Sequence, residues 1–414
     1  MQNQRAYRRL QEHLNTMPVG FPAAKRGADI KLLMNIFTPQ EAETACALSY
    51  KPETLEAVFE RIDKTLVDSA QTLATILDKI QKKGGIESKI KDGVRYYCNI
   101  PLVVGMYEMQ VNRLTPKFLE DFHAYSRDIN FGLEFLSSKK YQMRTIPIEK
   151  SITLTHHASH FDEVVTLFKN AEPPFVVLDC ICRKKSRMEG KPCKVTDRQE
   201  TCIAVGESAA TCLLMEIGRE ISQSEAISII EKNQKEGLVL QPSNTERIEF
   251  ICSCCGCCCG MLGVHKKLPI PMDFWTSNFY AVVDQDACNG CGVCRTRCQV
   301  EAVKIVEKSY DNRKLIRYGK SYRSSKDGDK IKDKAKAVID LNVCIGCGLC
   351  LTTCSKKAIT LVKKETEIKP PKNREELNEA IMAQKRGNLG KLKAAGQLIK
   401  GMVKTRNTDI IKKR

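Results

Sequence analysis

Residues 288–298 read CNGCGVCRTRC and residues 344–354 read CIGCGLCLTTC, so one cysteine spacing occurs twice in the chain. Two residues separate each of the first three cysteines, and three residues precede the fourth. Two-residue gaps allow three successive thiolates to face one side of an iron–sulfur cubane. The interspersed glycines permit the tight backbone path that this requires. Zinc is the alternative for any single C-x2-C pair, but two complete copies favour two iron–sulfur sites.

A strand pattern flanks each run on both sides, at residues 280–283 and 302–306 for the first and 337–339 and 358–362 for the second. Together with the spacing, this order resembles a two-cluster bacterial-type ferredoxin domain. In that family the fourth cysteine of each run binds the other cluster, so the resemblance implies two [4Fe–4S] clusters. The implied ligands are Cys288, Cys291, Cys294 and Cys354 for one cluster, and Cys344, Cys347, Cys350 and Cys298 for the other.

The runs depart from the family pattern at one position. The proline that follows the fourth cysteine is replaced by Gln299 in the first run and by Ser355 in the second. The loss of proline loosens the local turn and can change the potential or solvent access of a cluster, but it removes no ligand.

Ten further cysteines lie between residues 180 and 259, at the ends of predicted elements. A strand pattern at 175–178 leads into the first pair, Cys202 is predicted to open a helix, and a strand pattern at 248–251 leads into the last six. Loops at these ends can turn several thiolates towards one point. The ten are Cys180, Cys182, Cys193, Cys202, Cys252, Cys254, Cys255, Cys257, Cys258 and Cys259.

These ten cysteines predict at least one more metal centre, and the sequence leaves its composition open. The first four would suffice for one iron–sulfur cubane or one tetrahedral zinc ion. The other six can hold a second centre or share a larger one, and adjacent cysteine side chains diverge, so not all can reach one metal. An additional iron–sulfur cluster is the main prediction; zinc and redox-active thiols are the alternatives. Arg183, Lys184 and Lys185 are either thiolate-stabilising cations or solvated charges.

Cellular location follows from composition and cysteine use. The chain has 414 residues, of which 42% are hydrophobic and 28% are charged. We expect no membrane-spanning helix, because no apolar run is long enough, and no signal peptide, because residues 1–30 lack an apolar core. A cytoplasmic location is therefore predicted, where the 21 cysteines indicate metal binding rather than disulfides. Cys46, Cys98 and Cys212 stand alone in apolar surroundings and are expected to be inert.

The formal net charge of +18 is concentrated in two segments. One is a basic insertion at 308–336, where tyrosines alternate with lysines and arginines, and the other is the tail at 365–414. The composition of the insertion predicts a positively charged patch that attracts an acidic redox partner electrostatically. Nucleic-acid binding and an ordinary exposed loop are the alternatives. The sequence of the tail predicts two helices. The second helix is suited to docking on a partner protein or on an anionic membrane surface; alternatively, this segment is disordered until it binds.

The N-terminal region predicts three helices followed by a hairpin. Thr38 to Glu41 form a capping box, two further helical patterns follow, and an Asp-Gly turn joins two strands at 88–97. This order resembles a winged helix-turn-helix domain over about residues 30–100. The resemblance implies DNA binding or, alternatively, protein docking. The side chains that would contact phosphates are Lys79, Lys82, Lys83, Lys89, Lys91 and Arg95.

The predicted fold class is therefore α+β and multidomain. Residues 1–150 form a winged-helix-like domain, 151–275 a mixed α/β cysteine-rich domain, 276–364 the two-cluster ferredoxin domain with its insertion, and 365–414 a basic helical tail. The whole chain resembles multi-cluster ferredoxin-type proteins of anaerobic microbes.

Three functions are consistent with this organisation. The leading prediction is an iron–sulfur electron-transfer protein or a subunit of an oxidoreductase complex. The alternatives are a redox-sensing DNA-binding regulator and a scaffold whose metals only stabilise the fold. No strand is followed by a G-x-G-x-x-G loop for a nicotinamide or flavin. Any catalytic activity would therefore reside at the middle cysteines or in a partner subunit.

Overall fold

A computed structural model describes residues 2–138, 140–152, 159–306, 335–385, 387–405 and 407. These residues form a mixed α/β, multidomain protein with several small sheets. Apart from Ala335 and Lys336, the predicted basic insertion lies outside the described residues. No described helix is both long and apolar enough to cross a lipid bilayer.

The N-terminal region consists of helices and one small antiparallel sheet, in the strand order β1-β3-β2. The elements are α1 (Gln2–Asn15), α2 (Ala28–Met34), α3 (Pro39–Ala45), β1 (Glu53–Thr54), α4 (Leu55–Arg61), α5 (Ala70–Lys82), β2 (Ile86–Lys91), β3 (Val94–Asn99), α6 (Pro116–Ser126) and α7 (Ile129–Ser137).

Two local signals in this region are confirmed. The Thr38 hydroxyl accepts a hydrogen bond from the Glu41 backbone N–H, and the Glu41 carboxylate accepts one from Thr38, so the capping box begins α3. Asp92 and Gly93 have φ angles of 51° and 76° between β2 and β3. Two consecutive left-handed residues match the twist of a two-residue hairpin, which explains why this turn joins the strands.

The middle region is built on a five-stranded sheet in the order β6-β4-β5-β8-β7, with every neighbouring pair antiparallel. Its elements are α8 (Val164–Lys169), β4 (Phe175–Asp179), α9 (Ile181–Met188), β5 (Glu200–Val205), α10 (Glu207–Leu214), β6 (Arg219–Ile221), α11 (Gln223–Glu236), β7 (Val239–Pro242), β8 (Phe250–Cys254) and α12 (Gly260–Lys267).

This sheet separates two hydrophobic cores, because successive residues of a strand point to opposite faces. Val176 and Ala204 pack into the core of the N-terminal helices. Phe175, Val177 and Ile203 pack into the second core, which the C-terminal cysteine runs share. The sheet therefore joins the N-terminal and C-terminal regions into one packed unit.

Two expectations for the middle cysteines are wrong. Cys202 lies inside strand β5 rather than at the start of a helix. The last strand runs through Cys252 and Cys254 instead of ending before them. Cross-strand pairing explains both differences, since β8 is hydrogen-bonded to β5 on one side and to β7 on the other. The sequence does not reveal these partners, which are distant along the chain.

The C-terminal cysteine runs lie between two antiparallel strand pairs, as their flanking patterns predict. The elements are β9 (Phe279–Val283), α13 (Val293–Arg297), β10 (Val303–Val306), β11 (Lys336–Ile339) and β12 (Ile359–Lys363). Strand β9 pairs with β12 and β10 pairs with β11, so each pair combines one strand from either repeat.

The tail forms the two predicted helices, α14 (Arg374–Gln384) and α15 (Gly387–Thr405). Arg374 begins α14 and inserts its guanidinium between the N-terminal and middle regions. It pairs with the carboxylates of Glu87 and, at 2.6 Å, of Glu249, and it donates a hydrogen bond to Ser208 at 2.9 Å. Glu87 is only 3% exposed, so its charge depends on this partner.

We predict that Arg374→Ala lowers the stability of the protein by about 3–5 kcal/mol, because it leaves a buried carboxylate without a cation. Lys369→Ala is the matched control, since it breaks the pair between a largely exposed lysine and the half-buried Glu246 and costs at most about 1 kcal/mol. Anaerobic thermal unfolding of both variants measures the difference. Equal melting temperatures for the two variants would contradict the proposed role of Arg374.

Candidate metal centres

The two C-terminal runs repeat the same backbone geometry. Gly290 and Gly346 have φ angles of 74° and 64°, and the glycines at 292 and 348 also adopt positive φ. A Cβ atom on Gly290 would collide with the carbonyl oxygen of Ala335, just before β11. A Cβ atom on Gly346 would collide with that of Phe279, at the start of β9. Each cysteine loop is thus held closely against the first strand of the other repeat.

Backbone amides donate to the sulfur atoms in the same repeated pattern. The Ala302 N–H donates to Cys298 Sγ, and the Ala358 N–H donates to Cys354 Sγ, both at 3.3 Å. Cys288 Sγ accepts hydrogen bonds from its own loop and from β11, each at 3.4 Å. Amide donors of this kind stabilise thiolates and tune clusters that thiolates bind.

The fourth cysteine of each run lies near the other run. Burial raises the pKa of Cys344, Cys347 and Cys350, and the nearby Cys298 thiolate raises each of them further. Burial likewise raises the pKa of Cys294 to about 11, with contributions from Cys288, Cys291 and then Cys354. These interactions indicate that Cys298 lies near the second run and Cys354 near Cys294 of the first, while Cys294 also interacts with Cys350.

Six of the ten middle cysteines come together around one cavity beside the five-stranded sheet. For each of the six thiols, the largest single influence on its pKa is an interaction with another thiol of the same set. Cys252 and Cys254 lie on one face of β8. Ser253, which lies between them, is on the opposite face and accepts a hydrogen bond from Asn233 of α11. We call this set the six-cysteine group: Cys180, Cys182, Cys202, Cys252, Cys254 and Cys259.

The six-cysteine group lines a cavity of about 450 Å³ between the sheet and the N-terminal region. The opposite wall includes Val104, whose φ of 57° is unusual for a β-branched residue, and Glu108, which accepts a hydrogen bond from the Gly105 N–H at 2.8 Å. Burial raises the pKa of Glu108 to about 7. Sequence reasoning missed this segment, because no motif marks it.

The other four middle cysteines form a tighter set, of which Cys255 and Cys258 also line the cavity of the six-cysteine group. The Sγ atoms of Cys193, Cys255, Cys257 and Cys258 all lie within 4.8 Å of one another. We call this set the four-cysteine group. The two groups do not follow the order of the cysteines in the sequence. Cys193 lies next to the turn after β8, whereas Cys182 and Cys202, which flank it in the sequence, belong to the six-cysteine group. The adjacent pairs Cys254–Cys255 and Cys258–Cys259 divide between the two groups, as expected, whereas the Sγ atoms of Cys257 and Cys258 converge to 3.7 Å.

Arg183 is the basic side chain that reaches these thiols. It is 1% exposed and donates hydrogen bonds to the Arg198 carbonyl at 2.9 Å and to the Thr201 hydroxyl at 2.8 Å. Burial acts to lower its pKa, but the thiolates of Cys180 and Cys193 outweigh burial and raise it. Lys184 and Lys185 instead form ion pairs with Asp179 and Glu189. Arg183 thus lies beside both groups of cysteines.

The three isolated cysteines are not part of these sets. The Cys46 thiol donates a hydrogen bond to the Ala42 carbonyl at 3.3 Å, and Cys98 and Cys212 are buried. Burial raises the pKa of Cys46 to about 11 and that of Cys212 to about 12. They are protonated packing residues at neutral pH.

Half of the basic side chains predicted to contact DNA phosphates are neutralised within the protein. The ion pairs connect Lys83 with Glu41, Arg95 with Asp78, and Lys89 with both Glu207 and Glu375. Lys89 is directed towards the middle region and the tail rather than towards solvent.

Comparison with known proteins agrees with the cysteine geometry. Ferredoxin-3 of Nostoc sp. (strain PCC 7120 / SAG 25.82 / UTEX 2576) is 31% identical over 86 residues, which are 21% of this chain and 80% of that ferredoxin. No family model matches the chain, and no solved structure matches it. The similarity and the grouped thiols define an iron–sulfur protein. Through this segment the chain belongs to the ferredoxin family.

We predict that Gly346→Ala reduces the iron content and the thermal stability of the protein. The substitution places a Cβ against the Phe279 carbonyl and imposes a left-handed conformation that costs a non-glycine residue about 1–2 kcal/mol. Gly260→Ala is the control, because nothing lies within 4 Å of its added Cβ. Iron assay and melting temperature compare the two. Full iron content and wild-type stability in Gly346→Ala would contradict the tight loop.

Proposed function

We propose that this protein transfers electrons through two [4Fe–4S] clusters in a ferredoxin-like domain and a third iron–sulfur cluster bound by the six-cysteine group. It acts alone or as a subunit of an oxidoreductase complex. The observation that carries the proposal is the repeated loop geometry, in which two cysteine runs hold their thiols in equivalent backbone environments.

The proximity of each fourth cysteine to the opposite run supports the crossed assignment of ligands. One cluster would be bound by Cys288, Cys291, Cys294 and Cys354, and the other by Cys344, Cys347, Cys350 and Cys298. Crossed ligands make the two clusters neighbours, because each run contributes to both. Short distances between clusters favour rapid transfer of single electrons.

The exposure of the ligands indicates a direction for the electron path. Cys291 is exposed, whereas Cys344 and Cys350 of the second set are buried. The first cluster would therefore exchange electrons with a redox partner at the surface, and the second would pass them inward. Gln299, which follows Cys298, accepts a hydrogen bond from the Gly256 N–H at 2.8 Å, and this contact joins the second cluster to the middle cysteines.

The arrangement of the six-cysteine group supports a multinuclear cluster rather than one metal ion. Its thiols come from two strands, β5 and β8, and from the starts of two helices, α9 and α12, and they line a cavity, so they can bind several irons around its edge. Their location also explains the buried position of Arg183, whose positive charge offsets part of the thiolate charge. The N-terminal region and the tail form the other walls of the cavity.

DNA binding is not supported by a specific contact. The winged-helix interpretation of residues 30–100 stays a prediction from element order. The ion pairs of Lys83, Lys89 and Arg95 leave only Lys79, Lys82 and Lys91 for phosphates. We therefore do not propose a regulator.

The crossed assignment predicts which cysteine substitutions affect the same cluster. Cys291→Ser and Cys354→Ser should change the same EPR signal of the reduced protein, and Cys347→Ser and Cys298→Ser should change the other. Each variant should lose or convert one cluster, so iron falls by at most about four atoms per chain. Cys46→Ser is the control and should retain both signals. Pairing of Cys291 with Cys298, instead of with Cys354, would overturn the assignment.

The third cluster is tested by iron and sulfide counts on anaerobically purified protein. The two ferredoxin clusters contain about eight irons, so a third raises the total to about twelve or more. Cys254→Ser should remove the excess over eight and leave both ferredoxin signals intact, whereas Cys212→Ser should remove nothing. A wild-type total of eight irons would overturn the third cluster without affecting the other two.

A further inference from the structure

We propose that the four-cysteine group binds a single Zn²⁺ ion, which has a structural role and is separate from the iron–sulfur clusters. The inference concerns Cys193, Cys255, Cys257 and Cys258, and it goes beyond the proposed electron transfer. It assigns to these thiols a redox-inert metal instead of a share in an iron–sulfur cluster.

The separations between sulfur atoms match one tetrahedral ion. Cys193 Sγ lies 3.5 Å from Cys255 Sγ and 3.7 Å from Cys257 Sγ. Cys257 Sγ lies 3.5 Å from Cys255 Sγ and 3.7 Å from Cys258 Sγ. Four thiolates at the usual zinc–sulfur distance of 2.3 Å occupy tetrahedral corners about 3.8 Å apart. The thiols therefore already have nearly the required spacing.

A cubane would require a wider arrangement. In a [4Fe–4S] cluster each cysteine binds a different iron, so the ligand sulfurs are separated by the cluster itself. Among the described residues, the four-cysteine group is the set of ligand atoms close enough to share one ion. The eight thiols of the ferredoxin runs and the six-cysteine group do not have this compact geometry in the described part of the chain.

Local backbone structure holds the four ligands together. Cys255, Cys257 and Cys258 lie on the turn between β8 and α12, and Cys193 lies on the loop between α9 and β5. The Lys194 N–H donates to Cys257 Sγ and the Val195 N–H donates to Cys193 Sγ, both at 3.4 Å. These amide donors, together with nearby Arg183, stabilise the net negative charge of a zinc ion with four thiolates.

The position of the site explains what a structural ion would do. It would connect the loop after α9 with a turn that has little regular structure of its own. This turn also carries Gly256, which contacts Gln299, and its carbonyl accepts a hydrogen bond from Lys266 at 2.8 Å. Zinc would therefore fix the turn between the six-cysteine group and the second ferredoxin run, without taking up electrons.

Metal analysis of the full chain, purified anaerobically without added metals, tests the proposal. We expect one zinc per chain in the wild type and less than one-tenth of that in Cys257→Ser. Iron, sulfide and the EPR signals should be unchanged in this variant, because Cys257 is exposed and belongs to neither iron-binding set. Cys46→Ser is the matched control and should keep its zinc.

Two further measurements keep the test decisive if Cys257→Ser folds poorly. Cys257→His, which retains a zinc ligand, should keep one zinc per chain. Protein produced with cobalt should show the ligand-field bands of tetrahedral cobalt–thiolate, and Cys257→Ser should lose them. A high-spin ferric signal that depends on Cys257, or loss of iron and sulfide in Cys257→Ser with no zinc in the wild type, would overturn the proposal. Neither outcome would affect the ferredoxin clusters.

Discussion

Crowded thiolates repel one another, and the protein brings eighteen cysteines into a few sets whose charged forms metal cations would stabilise. The repulsion is visible in the raised pKa values of Cys347 and Cys350, to which burial and neighbouring thiolates both contribute. Charge compensation by metal would therefore connect folding to metal binding under the proposed assignment, because thiolate ligands must be deprotonated and brought together to bind an ion. Arg183 and the backbone amides near the sulfurs supply only part of the positive charge that is required.

The five-stranded sheet arranges these sets in space. Side chains alternate across it, so Cys202, Cys252 and Cys254 line the same cavity as Val104 and Glu108 of the N-terminal region, while Ile203 and Ile251 pack into the core shared with the ferredoxin runs. The N-terminal region thus serves as a wall of the six-cysteine cavity. Arg374 strengthens this arrangement, since its ion pairs connect the hairpin, the sheet and the tail. The cysteine-rich centre is consequently enclosed by parts of the chain that are far apart in sequence.

Sequence reasoning succeeded where the signal is local. The capping box at Thr38, the Asp92–Gly93 turn and the strands around each C-terminal run all form as predicted. It failed where partners are remote: Cys202 was expected to open a helix, yet pairing with β4 and β8 makes it part of a strand. The local sequence around Lys89 does not reveal that acidic residues of α10 and α14, which are distant along the chain, form ion pairs with it.

The amino-acid sequence was sufficient to indicate that this is an iron–sulfur protein with two equivalent cysteine runs, because their ligands are spaced within a single loop and glycine sets the local path. Folding was needed to show which middle cysteines meet. Cys193 contacts Cys255 across 62 residues, and Cys182 joins Cys259 instead of Cys193. Neighbouring cysteines of β8 and the following turn belong to two sets because their side chains point in different directions. Those directions depend on how β8 pairs with its neighbouring strands, which the spacing of the cysteines in the sequence does not show.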